Sequence, residues 1–204
     1  MIDSIVASLA KLVAGCTSEW IEEPDTRQRV YVANHTSHLD FVVLWASLPP
    51  RTRALTVPVA ARDYWSKGLR HYMAANVFHA VLIDRAGSGE DSAQEVGKQA
   101  VETMSSAMGD SRSLILFPEG TRGSGEAIGE FKSGLYYLCL ARPGLEVMPV
   151  YLTNLSRILP KGETLPLPLL STARFGRPLR LQPGEDKWPF LTRVRAAVVS
   201  LADA

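Results

Sequence analysis

Short apolar runs rich in β-branched residues recur along the 204-residue chain at Arg29 to Ala33, Leu55 to Ala60, Val81 to Asp84, Ser113 to Phe117 and Val147 to Leu152. Each is too short for a helix and is flanked by turn residues, the pattern of strands buried on both faces. Between them lie stretches with helical spacing at Ser37 to Ser47, Trp65 to Ala75, Glu90 to Met108 and Lys132 to Ala141; in the third, Val96, Ala100, Met104 and Ala107 fall three or four apart. Strands alternating with helices specify an α/β fold, here a mixed, largely parallel sheet flanked by helices on both faces.

The two ends differ from this middle. Within Met1 to Gly15, the residues Ile2, Ile5, Val6, Leu9, Leu12 and Val13 follow one helical face. The expected helix packs on its own domain, with a membrane-interface helix as the alternative; its polar face is poor in Lys and Arg. No apolar run approaches the roughly 18–20 residues needed to cross a bilayer, and Asp3 and Lys11 interrupt a start that has no small-residue cleavage site. After Asn154, Pro160, Pro166, Pro168, Pro178, Pro183 and Pro189 punctuate a stretch expected to hold a strand pair near Thr172 to Leu181 and a last helix over Pro189 to Leu201. The expected organisation is one domain over 1–204, with an amphipathic helix at 1–15, the core at 16–154, and closing strands and a C-terminal helix at 155–204.

Charge and cysteine content narrow the function classes. Lys plus Arg number 22 against 21 Asp plus Glu, a formal net charge of +1, which argues against a protein that binds nucleic acid through bulk electrostatics. The two cysteines, Cys16 and Cys139, form no Cys-x2-Cys pair and no disulfide scaffold, so a reducing, cytoplasmic setting is expected.

Polar residues gather where the strands should end. The run Asn34-His35-Thr36-Ser37-His38-Leu39-Asp40 follows the first expected strand, at the edge where open α/β sheets bind ligands. His35 and Asp40 point about 140° apart on a continuous helix, so they pair only if His35 lies in a loop and the helix begins at Thr36 or Ser37. A carboxylate that holds one ring nitrogen leaves the other to take a proton from a hydroxyl. The alternative is that both residues only cap the helix start. A metal site from His35, His38 and Asp40 fits less well, because His-x-x-His-x-Asp lacks the alternate projection of a short chelating loop. The second cluster, Pro118-Glu119-Gly120-Thr121-Arg122, leads through Gly123, Gly125 and Gly129 to Phe131-Lys132-Ser133-Gly134. Its glycines permit close backbone approach, and the Arg122 fork suits an anionic ligand, while no nucleotide P-loop is present. Arg85 and Arg62 follow two further expected strands and add cations to the same edge.

Taken together, these residues resemble the glycerolipid acyltransferase family, whose lysophosphatidate acyltransferases carry four ordered blocks. Asn34 to Asp40 matches the first block, Ile83-Asp84-Arg85 the end of the second, Phe117 to Arg122 with Phe131 to Gly134 the third, and Val147-Met148-Pro149-Val150-Tyr151 the fourth. The resemblance implies a glycerol-3-phosphate acyltransferase-like fold with His35 as general base and Asp40 as its orienter. It implies that Arg85, Glu119, Gly120, Thr121 and Arg122 shape the acceptor and phosphate site, joined by Arg62 and Lys132. It implies an acyl donor carried by coenzyme A or acyl carrier protein, a lysophospholipid acceptor, and no cofactor, metal or covalent acyl-enzyme. Many family members have a longer membrane-embedded amino-terminal segment, so a soluble or peripheral enzyme at the inner membrane face is expected. Arg51, Arg53, Arg62, Lys67 and Arg70 with Trp45, Tyr64 and Trp65 form a basic and aromatic stretch suited to membrane contact, with a plain solvated face as the alternative. The competing readings are transfer to glycerol 3-phosphate or another lysolipid, acyl-thioester hydrolysis, and a noncatalytic lipid-binding module.

Overall fold

The five apolar runs, with two further strands, build one seven-stranded sheet in the computed structural model, which describes residues 2–202 except 14, 38, 66–67, 85–89, 124, 126 and 156–169. Its strands are β1 (Cys16–Trp20), β2 (Arg29–Ala33), β3 (Thr56–Ala61), β4 (Val81–Ile83), β5 (Ser113–Leu116), β6 (Glu146–Leu152) and β7 (Ser171–Phe175). They lie in the order β1-β7-β6-β2-β5-β3-β4. From β6 to β4 all neighbours are parallel, whereas β7 runs antiparallel to β6 and parallel to β1. The sheet is therefore mixed and mostly parallel, and the fold is α/β.

The helices are α1 (Ile2–Val13), α2 (Asp40–Ser47), α3 (Pro50–Ala54), α4 (Arg62–Trp65), α5 (Gly68–Asn76), α6 (Glu90–Met108), α7 (Gly134–Ala141) and α8 (Lys187–Val199). Side chains alternate across β2, which is buried along its whole length. Tyr31 and Ala33 join Ile115, Met148 and Val150 in a core that includes Ala7, Leu44 and Phe78. Val30 and Val32 join Leu114 and Val147 against Met104, Leu138 and Phe190, so helices cover both faces. Each such fully buried Val, Leu or Phe side chain is worth about 1.5–3 kcal/mol of apolar burial.

Three expectations change. Helix α2 begins at Asp40 rather than Thr36 or Ser37, because the Asp40 carboxylate bends back to accept the Thr36 and Ser37 amides and holds them outside the helix. The apolar side of α1 is wider than the face it buries: Val6, Ala7 and Ala10 pack inward, while Ile5, Leu9 and Leu12 remain exposed. Pro49-Pro50-Arg51 leads into the short α3 with a proline at its start, where the missing N–H costs nothing. Of the strand pair expected near Thr172 to Leu181, only β7 forms; Leu179 makes a single antiparallel bridge to Val147. Pro160, Pro166 and Pro168 lie outside the described residues.

Candidate active site

Because β2, β5, β3 and β4 are parallel neighbours, the residues following them share one edge of the sheet. Asn34 extends β2 by one rung: its side-chain amide donates to the Leu152 carbonyl at 3.0 Å, and its Oδ1 accepts the Leu152 N–H at 2.8 Å. The chain then turns, which places His35 at the start of a loop rather than on α2. His35 Nδ1 lies 2.9 Å from Asp40 Oδ2, and that oxygen also accepts the amides of Thr36 at 2.6 Å and Ser37 at 2.8 Å. One fully buried carboxylate thus both holds the His35 imidazole and orders the start of the helix. A carboxylate oxygen only accepts, so Nδ1 carries a proton, and in the neutral imidazole Nε2 is the nitrogen with the lone pair. The imidazole stacks on Phe117 with ring centroids 4.4 Å apart, which limits its rotation.

The loop after β5 grips the backbone of the same histidine. Glu119 is 7% exposed; its Oε1 accepts the His35 amide at 2.8 Å and its Oε2 the Gly129 amide at 2.8 Å. The Gly123 amide in turn donates to the His35 carbonyl at 2.8 Å. Both carboxylate oxygens of Glu119 are thereby spent on main-chain donors, and its side chain holds two loops together. Gly120 adopts φ +69°, and a Cβ there would lie 2.7 Å from Lys132 Nζ, so this glycine lets the lysine fold across the loop.

A cavity of about 450 Å³ opens beside His35. Thr121, Arg122 and Lys132 line it along with Gly120, while Phe41, Trp65 and Phe78 form apolar wall. The ring of Phe41 meets that of Trp65 edge-on at 5.2 Å and that of Phe78 at 4.9 Å. These three aromatics come from α2, α4 and the turn after α5, and no motif in the sequence signals their convergence. The arrangement offers a free basic nitrogen, cations for an anionic group and a hydrophobic recess in one cleft.

Other expected site residues fall elsewhere. Arg62 is absent from the lining of this cavity: its Nε pairs with Asp84 at 2.9 Å, its guanidinium donates to the Leu82 carbonyl, and it borders a neighbouring hollow of about 40 Å³. Arg85 and His38 lie outside the described residues. In the stretch expected to touch a membrane, Trp45 and Arg53 are buried, with the guanidinium 5.3 Å over the indole and donating to the Leu48 carbonyl. Lys67 and the side chains of Tyr64 and Arg70 are outside the described set.

The protein is thus of the α/β class, a mostly parallel sheet with a His–Asp pair, cations and an apolar recess at its carboxyl edge. A family model described as Acyltransferase matches residues 19–153, and the chain belongs to that family, that of the glycerolipid acyltransferases. It is 31% identical over 189 residues to a 1-acyl-sn-glycerol-3-phosphate acyltransferase of Limnanthes alba, covering 90% of this chain and 60% of that protein. It is 31% identical over 143 residues to 1-acyl-sn-glycerol-3-phosphate acyltransferase alpha of Mus musculus, covering 69% of this chain and 45% of the relative. The chain thus spans about half the length of the curated relatives it matches. The crystal structure of the 1-acyl-sn-glycerophosphate (LPA) acyltransferase PlsC from Thermotoga maritima shares the fold with a TM-score of 0.71 at 16% identity, over 98% of this chain and 79% of that one.

Proposed function

We propose that the protein is an O-acyltransferase that moves a fatty acyl group from an acyl thioester, on coenzyme A or acyl carrier protein, to the hydroxyl of a lysophosphatidate-like acceptor. His35 Nε2 takes the hydroxyl proton as the oxygen attacks the thioester carbonyl. The tetrahedral intermediate collapses with cleavage of the carbon–sulfur bond, and the leaving thiolate takes the proton back from the imidazolium. The products are an ester and a free thiol, with no acyl-enzyme in between. Asp40 holds the imidazole and stabilises its charged form. Arg122 and Lys132 are assigned to the acceptor phosphate, which fixes its hydroxyl near His35. The reading is carried by one observation: the 2.9 Å His35–Asp40 hydrogen bond sits beside a cavity that joins those cations to an apolar wall.

The homology of the chain to enzymes named for 1-acylglycerol 3-phosphate favours that acceptor over glycerol 3-phosphate or other lysolipids. A lipid acceptor also calls for transient contact with a membrane surface at the cytoplasmic side, for which the exposed Ile5, Leu9 and Leu12 of α1 are the assigned contacts. Among the described residues no helix is long and apolar enough to cross a membrane. The test is incubation with one labelled long-chain acyl-CoA and a panel of hydroxyl acceptors, read by thiol release and product mass. Ester formed only when lysophosphatidate is present supports the proposal. Thiol release at the same rate without any acceptor makes the protein a hydrolase, and no release with any thioester makes it a binding module.

A further inference from the structure

Helix α8 lies beyond the residues matched by the family model, yet one of its side chains reaches the histidine loop. The Arg195 guanidinium donates from Nε to the Gly129 carbonyl at 2.9 Å and to the Ile128 carbonyl at 3.1 Å, and from Nη2 to Ile128 again. The Ile128 carbonyl and the Gly129 N–H belong to one planar peptide unit, so holding the oxygen also aims the N–H. That N–H donates to Glu119 Oε2, whose partner oxygen accepts the His35 amide. A guanidinium at one end of the peptide and a carboxylate at the other polarise it in the same sense, which strengthens both hydrogen bonds. Gly129 is suited to the role, since a Cβ there would lie 3.1 Å from Glu119 Oε2.

We infer that Arg195 is a positioning residue for the acyl transfer: through the Ile128–Gly129 peptide and Glu119 it sets where the His35 backbone, and hence its imidazole, stands. This rests on the function proposed above. Arg195 touches no reacting atom, so its removal should slow turnover without weakening substrate binding. In Arg195→Met we expect kcat to fall about 10-fold, since small misplacements of a catalytic group carry losses of this order or more. KM for thioester and for lysophosphatidate should stay within about twofold. Amide hydrogen exchange read by NMR should accelerate about 10-fold at His35 and Gly129 and stay unchanged at Val32 in β2. Arg195→Lys, which can hold one carbonyl but not both in a fork, should recover part of both effects.

A loss confined to KM, or wild-type kcat in Arg195→Met, overturns the inference, as does unchanged exchange at His35. Ester formation by the wild type with none of these changes in the variant defeats the link alone. Faster exchange at His35 with no transfer by the wild type defeats the acyl-transfer reading while the link stands. Should Arg195→Met not fold, Arg195→Lys and Gly129→Ala decide. Each should lower kcat selectively, and the double variant should lose less than the product of the two, because both act on one line; a multiplicative loss overturns the inference.

Discussion

The two edges of the sheet treat buried charge in opposite ways. At the amino ends of β2 and β6, which pair in register at Arg29 and Glu146, carboxylates meet guanidinium groups. Arg29, 2% exposed, bonds Glu146 at 2.8 Å and Asp25 at 2.9 Å, and Arg27 and Arg180 close on Glu146 from outside. Burial would push the Glu146 carboxyl up, but the hydrogen bonds from Arg29 and Arg180 outweigh it and hold the group below its ordinary range; Asp25 behaves likewise through Arg27 and Arg29. At the carboxyl edge Oδ2 of the buried Asp40 and both oxygens of Glu119 are engaged by main-chain amides and one imidazole, Asp40 Oδ1 is buried with no hydrogen-bond partner among the described residues, and Arg122 and Lys132 form no ion pair with any described residue. An edge whose charges are closed on each other builds structure. At the other, the exposed Arg62 is spent on Asp84, but Arg122 and Lys132 stand apart from the buried carboxylates and leave charge available.

That contrast predicts separable failures. The largest belongs to His35→Ala, which should lower transfer by about 10²–10⁴-fold, the scale of a lost general base, at a cost to stability of only about 1–2 kcal/mol for the Phe117 stacking and the Asp40 hydrogen bond. A larger loss of stability in this variant, read from the urea midpoint, would mean that the carboxyl edge is structural as well. Next comes Arg29→Met at the other edge. Removing one partner of a buried pair costs about 3–5 kcal/mol, and with Arg27 and Arg180 still facing Glu146 the lower end, about 3 kcal/mol, is expected from denaturant titration. Turnover per folded molecule should not change.

Arg122→Ala should raise KM for a phosphorylated acceptor by about 10-fold, the scale of one charge-assisted hydrogen bond, and leave a phosphate-free acceptor unaffected. Equal losses with both acceptors would remove its phosphate role. The smallest effect is in acid. Asp25 and Glu146 have folded values below the ordinary 3.8 and 4.5, so their stabilisation is complete above those values and is lost as the pH falls through the depressed ones. Arg29→Met should flatten this acid dependence of the unfolding midpoint, and an unchanged slope would show that the pairs do not carry it.

Legibility in the sequence followed the same division. The boundaries of β2, β5 and β6 are readable to within a residue because strands buried on both faces are continuous apolar runs. β1 was not legible: Cys-Thr-Ser-Glu-Trp alternates half-buried and exposed positions at the sheet edge and contains no apolar run. The proximity of His35 and Asp40 was readable from local chain geometry, since five residues suffice to bring them together. The engagement of Glu119 with two amides, and the reach of Arg195 to a peptide 66 residues away, depend on tertiary packing that no local pattern encodes. Arg62 shows the converse: position after a strand placed it at the expected edge, but tertiary partners, the Asp84 carboxylate and the Leu82 carbonyl, hold its guanidinium, and it is not in the lining of the large cavity.

The pairing of β1 with β7 joins positions 155 residues apart. During synthesis β1 has no sheet neighbour until β7 has emerged, and ring closure over that span is entropically slow. Until then its hydrogen-bonding groups stay open to solvent and to other nascent chains. Assembly of the sheet's outer margin is thereby made a late event, and premature termination before residue 171 leaves that strand without its partner.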